Sequence, residues 1–232
     1  MTERNLSLSK RNENIRDKNP VRVIRFQLSE IKQHYEENIE AIREQFLVAE
    51  ELVSKGKLRE AENVWRSQVV FLESTFDFFL HEITKYGLCE IFLGNWDKTE
   101  KYQNIEIQMR FIEIALKARE NTDWFLEFVN NCYEKITMVS FESVKDQMNL
   151  LGIDIRAVAD RAFHERGQEE KTKDKLKRRL NELFRRRNII AHQSDREHFD
   201  AQLKEISEDV VRRFLDDVGK IVEAIYYETE NM

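Results

Sequence analysis

Apolar residues return every three or four positions along most of this chain, the spacing of one helix face. From Phe26, the residues Leu28, Ile31, Tyr35, Ile39, Ile42, Phe46 and Ala49 form one stripe. It breaks at "SKGK" (54–57), where Gly56 offers a helix stop. A second stripe follows at once through Val69, Leu72, Phe76, Phe79, Leu80 and Ile83, and predicts a helix ending near Gly87. So short a link predicts an antiparallel helical hairpin over 28–85. "GNWDKTEKYQN" (94–104) reads as loop. Helical spacing resumes over 105–118 through Ile107, Phe111, Ile114 and Ala115, and again from about 122. "ITMVSF" (136–141) has the composition of a short strand, though its context favours helix or loop. Residues 141–165 predict two short helices around Gly152, and 166–175 a charged loop. Leu176, Leu180, Leu183 and Phe184 then mark a helix running into "RRRNIIAHQ" (185–193). Ser194 and Glu197 in "SDRE" have the form of a capping box, opening a last helix. Its stripe is Leu203, Ile206, Val210, Phe214, Val218, Ile221 and Ile225.

Composition sharpens this into a fold class. A single proline (Pro20) and six glycines in 232 residues leave few turns, and helices tolerate neither residue well inside. The expected fold is all-α, a helical bundle. Its parts are a flexible basic tail (1–25), an N-terminal helical extension (26–64) and a helical domain (65–232). Cys89 and Cys132 have no metal-ligand spacing and lie in apolar runs, so buried free thiols are expected. The first 25 residues lack an apolar centre, and no apolar stretch reaches the roughly 20 residues of a membrane span. A cytoplasmic location is the expectation.

Net charge is −6, but unevenly spread: residues 156–187 hold twelve Lys/Arg against six Asp/Glu, and 195–232 hold five against eleven. A basic segment in an acidic protein suits a polyanion, although a solvated charged face has the same signature.

The chemistry concentrates in "RRRNIIAHQ". On a helix Asn188 and His192, four apart, share a face, and Arg185, seven before His192, joins them. Arg187 is rotated away, within reach if the helix bends or ends there. Arginine holds phosphate oxygens through paired N–H donors. Histidine titrates near neutrality and moves protons. No acidic metal ligands accompany them, so a metal-free reaction is the natural one, with no cofactor implied. RNA suits such chemistry because its 2′-hydroxyl is an internal nucleophile. One histidine cannot easily serve as both base and acid, and two copies of the site facing each other would supply both.

"RNIIAH" resembles the Arg–Asn–x3–His form of the Arg–x4–6–His motif of HEPN domains. The early helix "FLESTFDFFLHEI", the late motif at a helix boundary and the amphipathic closing helix are similar too. The likeness covers roughly 65–228 and is nearest to bacterial stand-alone HEPN proteins of the RiboL-PSP kind. It implies a homodimeric, metal-independent endoribonuclease of toxin–antitoxin or anti-phage defence, with a composite active site and a possible antitoxin or defence partner. Arg187 and His192 match its two fixed catalytic positions, and Asn188 the polar residue after the arginine. Asp77 and His81 match polar residues that face the motif from the early helix. Relatives controlled by tyrosine modification extend the motif to His–x–Tyr. That position is Ser194 here, so the resemblance does not carry that control.

Arg185, Arg186, Arg178 and Arg179, with the lysines of 171–177, are expected to guide RNA. The alternative is a non-catalytic module that binds RNA, nucleotide or protein. The residues carry blander readings as well. Asp77 and His81 pair on any helix surface, and His81 suits a partly buried, satisfied histidine. Glu73 is a candidate for burial near the motif. The His192-x5-His198 spacing with Asp195 is no recognised metal pattern. Trp65, Trp96 and Trp124 suit core or interface positions, and His34 and His164 the surface.

Overall fold

The computed structural model describes residues 24–117, 122–133, 135–167, 169–197 and 199–232. Most of the predicted tail and His198 lie outside them. Among the described residues the fold is all-α. The helices are α1 (Leu28–Ser54), α2 (Leu58–Leu93), α3 (Glu100–Gln103), α4 (Met109–Lys117), α5 (Asp123–Tyr133), α6 (Phe141–Leu151), α7 (Ile155–Phe163), α8 (Thr172–Gln193) and α9 (Glu208–Glu230). The extended pairing that does occur is a lone bridge between Arg196 and Leu203. None of these helices is long and apolar enough to cross a membrane.

The hairpin forms as the pattern predicts. The stripe from Ile31 to Ala49 is buried against α2, and the Gln68 side-chain amide donates to the Ile42 carbonyl at 2.9 Å. α2 is the central helix. It is buried on nearly every side over its second half, where buried Glu82 and Lys85 pair at 2.7 Å among the apolar residues. α1, α5, α6, α8 and α9 pack around it. It is one continuous helix through residues 64 and 65, where the sequence suggested an extension meeting a domain. Residues from both sides of that point share one core.

α2 does not stop at Gly87. It runs one and a half turns further, to Leu93, and ends on Gly94 in the left-handed region (φ 83°). Gly87 serves packing instead. A Cβ there would lie 2.6 Å from Trp96 and 2.8 Å from Leu151. Gly87→Ala is therefore expected to lower stability by about 1–2 kcal/mol, overpacking outweighing the helix propensity gained. A lower midpoint in urea, with unchanged slope, is the check.

Residues 136–139 form neither strand nor helix. They run as an irregular segment with Met138 and Val139 buried. The capping box at Ser194 is not formed. Ser194 is the left-handed C-cap of α8 (φ 52°), and a loop carries Leu203 and Ile206 before α9 opens at Glu208. Cys89 is buried, Cys132 half-buried, and both are free thiols. Trp65 is buried, while Trp96 and Trp124 pack half-buried on the core. His34 is half-buried rather than on the surface, edge-on to Phe26 at 4.7 Å. His164 is exposed.

Candidate active site

α8 buries Leu176, Leu180 and Leu183 and delivers the Arg–Asn–x3–His stretch at its C-terminal end. Ile189 and Ile190 are half-buried, and Ile190 packs on the core, whereas Ala191 and His192 are exposed. Past Ser194 the chain turns sharply, and this turn is built on Asp195, a residue with no exposed surface and a φ of 56°. Its Oδ2 accepts from Arg66 Nε of α2 at 2.7 Å and from Arg186 Nη2 at 2.8 Å. The same guanidiniums reach onward. Arg66 donates to the Lys204 carbonyl and Arg186 to the Glu205 carbonyl, each at 2.9 Å. The backbone closes the turn, Lys204 N donating to the Asp195 carbonyl at 2.8 Å. Burial pushes the Arg186 guanidinium down from its ordinary value, Asp195 pulls it back up, and neighbouring Arg66 lowers it again.

Arg187 points elsewhere. Its Nε lies 3.2 Å from Oε2 of Glu73 on α2, and its Nη1 donates to Asn188 Oδ1 at 3.0 Å. Glu73 is 1% exposed. Burial pushes its carboxyl up to about 7. Arg187 acts against that rise and Asp77 adds to it. His192 makes no hydrogen bond or ion pair among the described residues and stands free at the helix end. Five residues at 3.6 per turn put it roughly 140° around the axis from Arg187. Arg185 shares the His192 face, exposed and without an ion pair among the described residues. An open groove of about 580 Å³ runs along that face between α8 and the start of α9, lined by Arg178, Arg185, Ile189, Arg213 and Phe214.

The structure thus divides the predicted residues. Arg187 and Asn188 are joined to each other. His192 and Arg185 share the open side that faces away from Arg187, with Asn188 between. Arg186, expected on the approach to RNA, is half-buried and tied to Asp195, though it still lines the groove, as do Glu182 and Glu205. Arg178 is half-committed, with Glu170 at 2.8 Å and Glu182 at 3.2 Å. Arg179 pairs with buried Asp217 of α9 at 3.4 Å, a contact that ties helix to helix. Burial raises the Asp217 carboxyl, and Arg179 opposes the rise.

Asp77 and His81 do different work from the one the resemblance implied. Asp77 Oδ1 accepts from the Met138 amide at 2.6 Å, and His81 Nε2 lies 2.8 Å from the Ile136 carbonyl. A carbonyl only accepts, so Nε2 carries the proton. The two side chains hold the irregular 136–139 segment onto α2. The acidic group that faces the motif is Glu73, one turn earlier.

No protein-family model, curated protein or solved structure matches this chain. Its function rests on the site itself.

One participant was hidden in the sequence: Asp195 lies inside a convincing capping signature. Glu73, a candidate for burial near the motif, is buried there beside Arg187, unlike the more exposed Glu60 and Glu62 of the same helix.

Proposed function

We propose that this protein is a metal-independent endoribonuclease of the HEPN kind that acts as a homodimer. The observation behind the reading is the pairing at the end of α8. Arg187 is fixed by buried Glu73 and by Asn188, and His192 stands exposed and unpartnered one turn later. An anchored guanidinium suits the charge that builds on phosphate oxygens in the transition state. A free imidazole suits proton transfer. His192 takes the 2′-hydroxyl proton or supplies one to the departing 5′ oxygen. Atoms balance without water in this step: the 2′ oxygen bonds to phosphorus, the P–O5′ bond breaks, and a 2′,3′-cyclic phosphate remains. Because Arg187 and His192 lie on different sides of one helix, the reading needs a second copy, with two motifs facing across one cleft. The groove beside Arg185 then carries the RNA strand toward His192.

Purified protein is expected to cut single-stranded RNA in excess EDTA, leaving 2′,3′-cyclic phosphate and 5′-hydroxyl ends. Gel analysis and end-group chemistry would show it. Intact RNA, or cleavage that EDTA abolishes, would overturn the reading.

The 140° separation also favours a second reading, a helical module that binds RNA without cutting it. That reading predicts retention of labelled RNA by the wild type with no shortened product. A cellular role in toxin–antitoxin or anti-phage defence, with an antitoxin or defence protein as partner, follows from the nuclease reading and belongs to the same proposal.

A further inference from the structure

Among the described residues, Glu73 is the carboxylate placed against the motif arginine, and it sits where ionisation is penalised. Its side chain is 1% exposed, and its second oxygen, Oε1, has no hydrogen-bond partner. The contact with Arg187 Nε is close in distance but not aligned as a hydrogen bond. A glutamine of the same shape would pack there without the cost of a buried charge. A carboxylate kept in such a place marks a functional demand more than a structural one.

The geometry supplies the demand. Arg187 donates a hydrogen bond from Nη1 to Asn188, and its Nε lies in ion-pair contact with Glu73 at 3.2 Å. The hydrogen bond and the charge contact, at different edges of one planar group, together bias its orientation. They leave Nη2 without a partner among the described residues. Its two N–H donors are then presented to whatever anion enters. We infer that Glu73 is a positioning residue: it orients the Arg187 guanidinium for phosphate and so governs the rate of the chemical step while lowering the stability of the fold. This inference rests on the ribonuclease reading.

The charged surroundings of Glu73 are simple. Arg187 comes from α8, and Asp77 from its own helix, with His81 a further turn on and 3.8 Å from Asp77. The 136–139 segment packed beside Asp77 brings a backbone amide and carbonyl and no charge. Burial raises the Glu73 carboxyl to about 7. A raised carboxyl holds its proton in the folded state over a range where the unfolded chain has released it. Stability therefore falls as pH climbs from the ordinary carboxylate range to about 7, and stays lower above it.

Glu73→Gln tests this with three readouts on the full chain. First, kcat for RNA is expected to fall about 10- to 100-fold with KM little changed, as for a misplaced catalytic group. Second, the rise of wild-type kcat with pH through about 7 is expected to be shallower in the variant, which lacks the ionisation of Glu73. Third, the variant melts at a higher temperature than wild type at pH 8, and the gap closes toward pH 5. A variant that cuts like wild type with the same pH profile overturns the inference and leaves the nuclease reading standing. A variant that melts lower at every pH makes Glu73 a structural residue, which also overturns it. A wild type that leaves RNA intact removes the reading first, and this inference with it.

Discussion

Asp195→Ala is expected to cost about 3–5 kcal/mol of folding stability, the range found when one partner of a buried ion pair is removed. Two features put it at this end of the scale. Asp195 has no exposed surface, and it is the carboxylate shared by Arg66 and Arg186, whose side chains are 8% and 15% exposed. Its loss leaves Arg186 without an acidic partner and Arg66 with Glu62 alone, at 3.3 Å, in a poorly solvated place. Both guanidiniums also hold carbonyls of the loop at Lys204 and Glu205, so the loop loosens with them. Asp195→Asn should cost less. Asparagine tolerates the left-handed backbone at this position and keeps an acceptor for one arginine. Urea unfolding of the three proteins gives the comparison. A loss under about 1 kcal/mol for the alanine variant would mean that both arginines turn out to solvent at little cost.

His192→Ala is the counterpart: a large effect on activity with almost none on the fold. General acid–base groups typically contribute about 10²- to 10⁴-fold in rate, and a fall in that range is expected for RNA cleavage. His192 is exposed and makes no hydrogen bond or ion pair among the described residues, so the melting temperature should move by no more than about 1–2 °C. Arg187→Lys should be nearly as inactive, because a point-like ammonium cannot hold Glu73, Asn188 and a phosphate at once. Expression in a bacterium offers a second measurement: growth slowed by wild type and normal with His192→Ala. Equal RNA decay by the two purified proteins would sink the assignment of His192 to chemistry.

What the sequence made legible was whatever depends on local periodicity. Stripes such as Ile31 to Ala49 specify a helix and its buried face together, so the hairpin and the short helices around Gly152 were readable. Gly87 misled because a glycine in a helix has two meanings. It is a stop when its backbone turns left-handed and a recess when a neighbour presses in, and only Trp96 and Leu151 decide which. "SDRE" misled for a related reason. Ser194 and Glu197 have the right spacing for a cap, but Asp195 between them is claimed by Arg66, 129 residues earlier, and that pull turns the chain the other way. The candidate site divides along the same line. Arg187, Asn188 and His192 could be picked out because their spacing is local. The contact of Arg187 with Glu73, and the tying of Arg186 to Asp195, depend on how α8 lies against α2.

The turn after α8 has a consequence for how this protein can change over generations. Arg66 of α2, Arg186 of α8 and Asp195 of the turn meet in one charge cluster, with Glu62 at 3.3 Å from Arg66 as its second acid. A sequence that loses the aspartate must lose or redirect both arginines nearly at once, and one that loses an arginine leaves a buried carboxylate with less compensating charge. The three positions should therefore be inherited as a set. Homologues gathered in future should hold either all three or a wholly apolar replacement, with the mixed combinations rare.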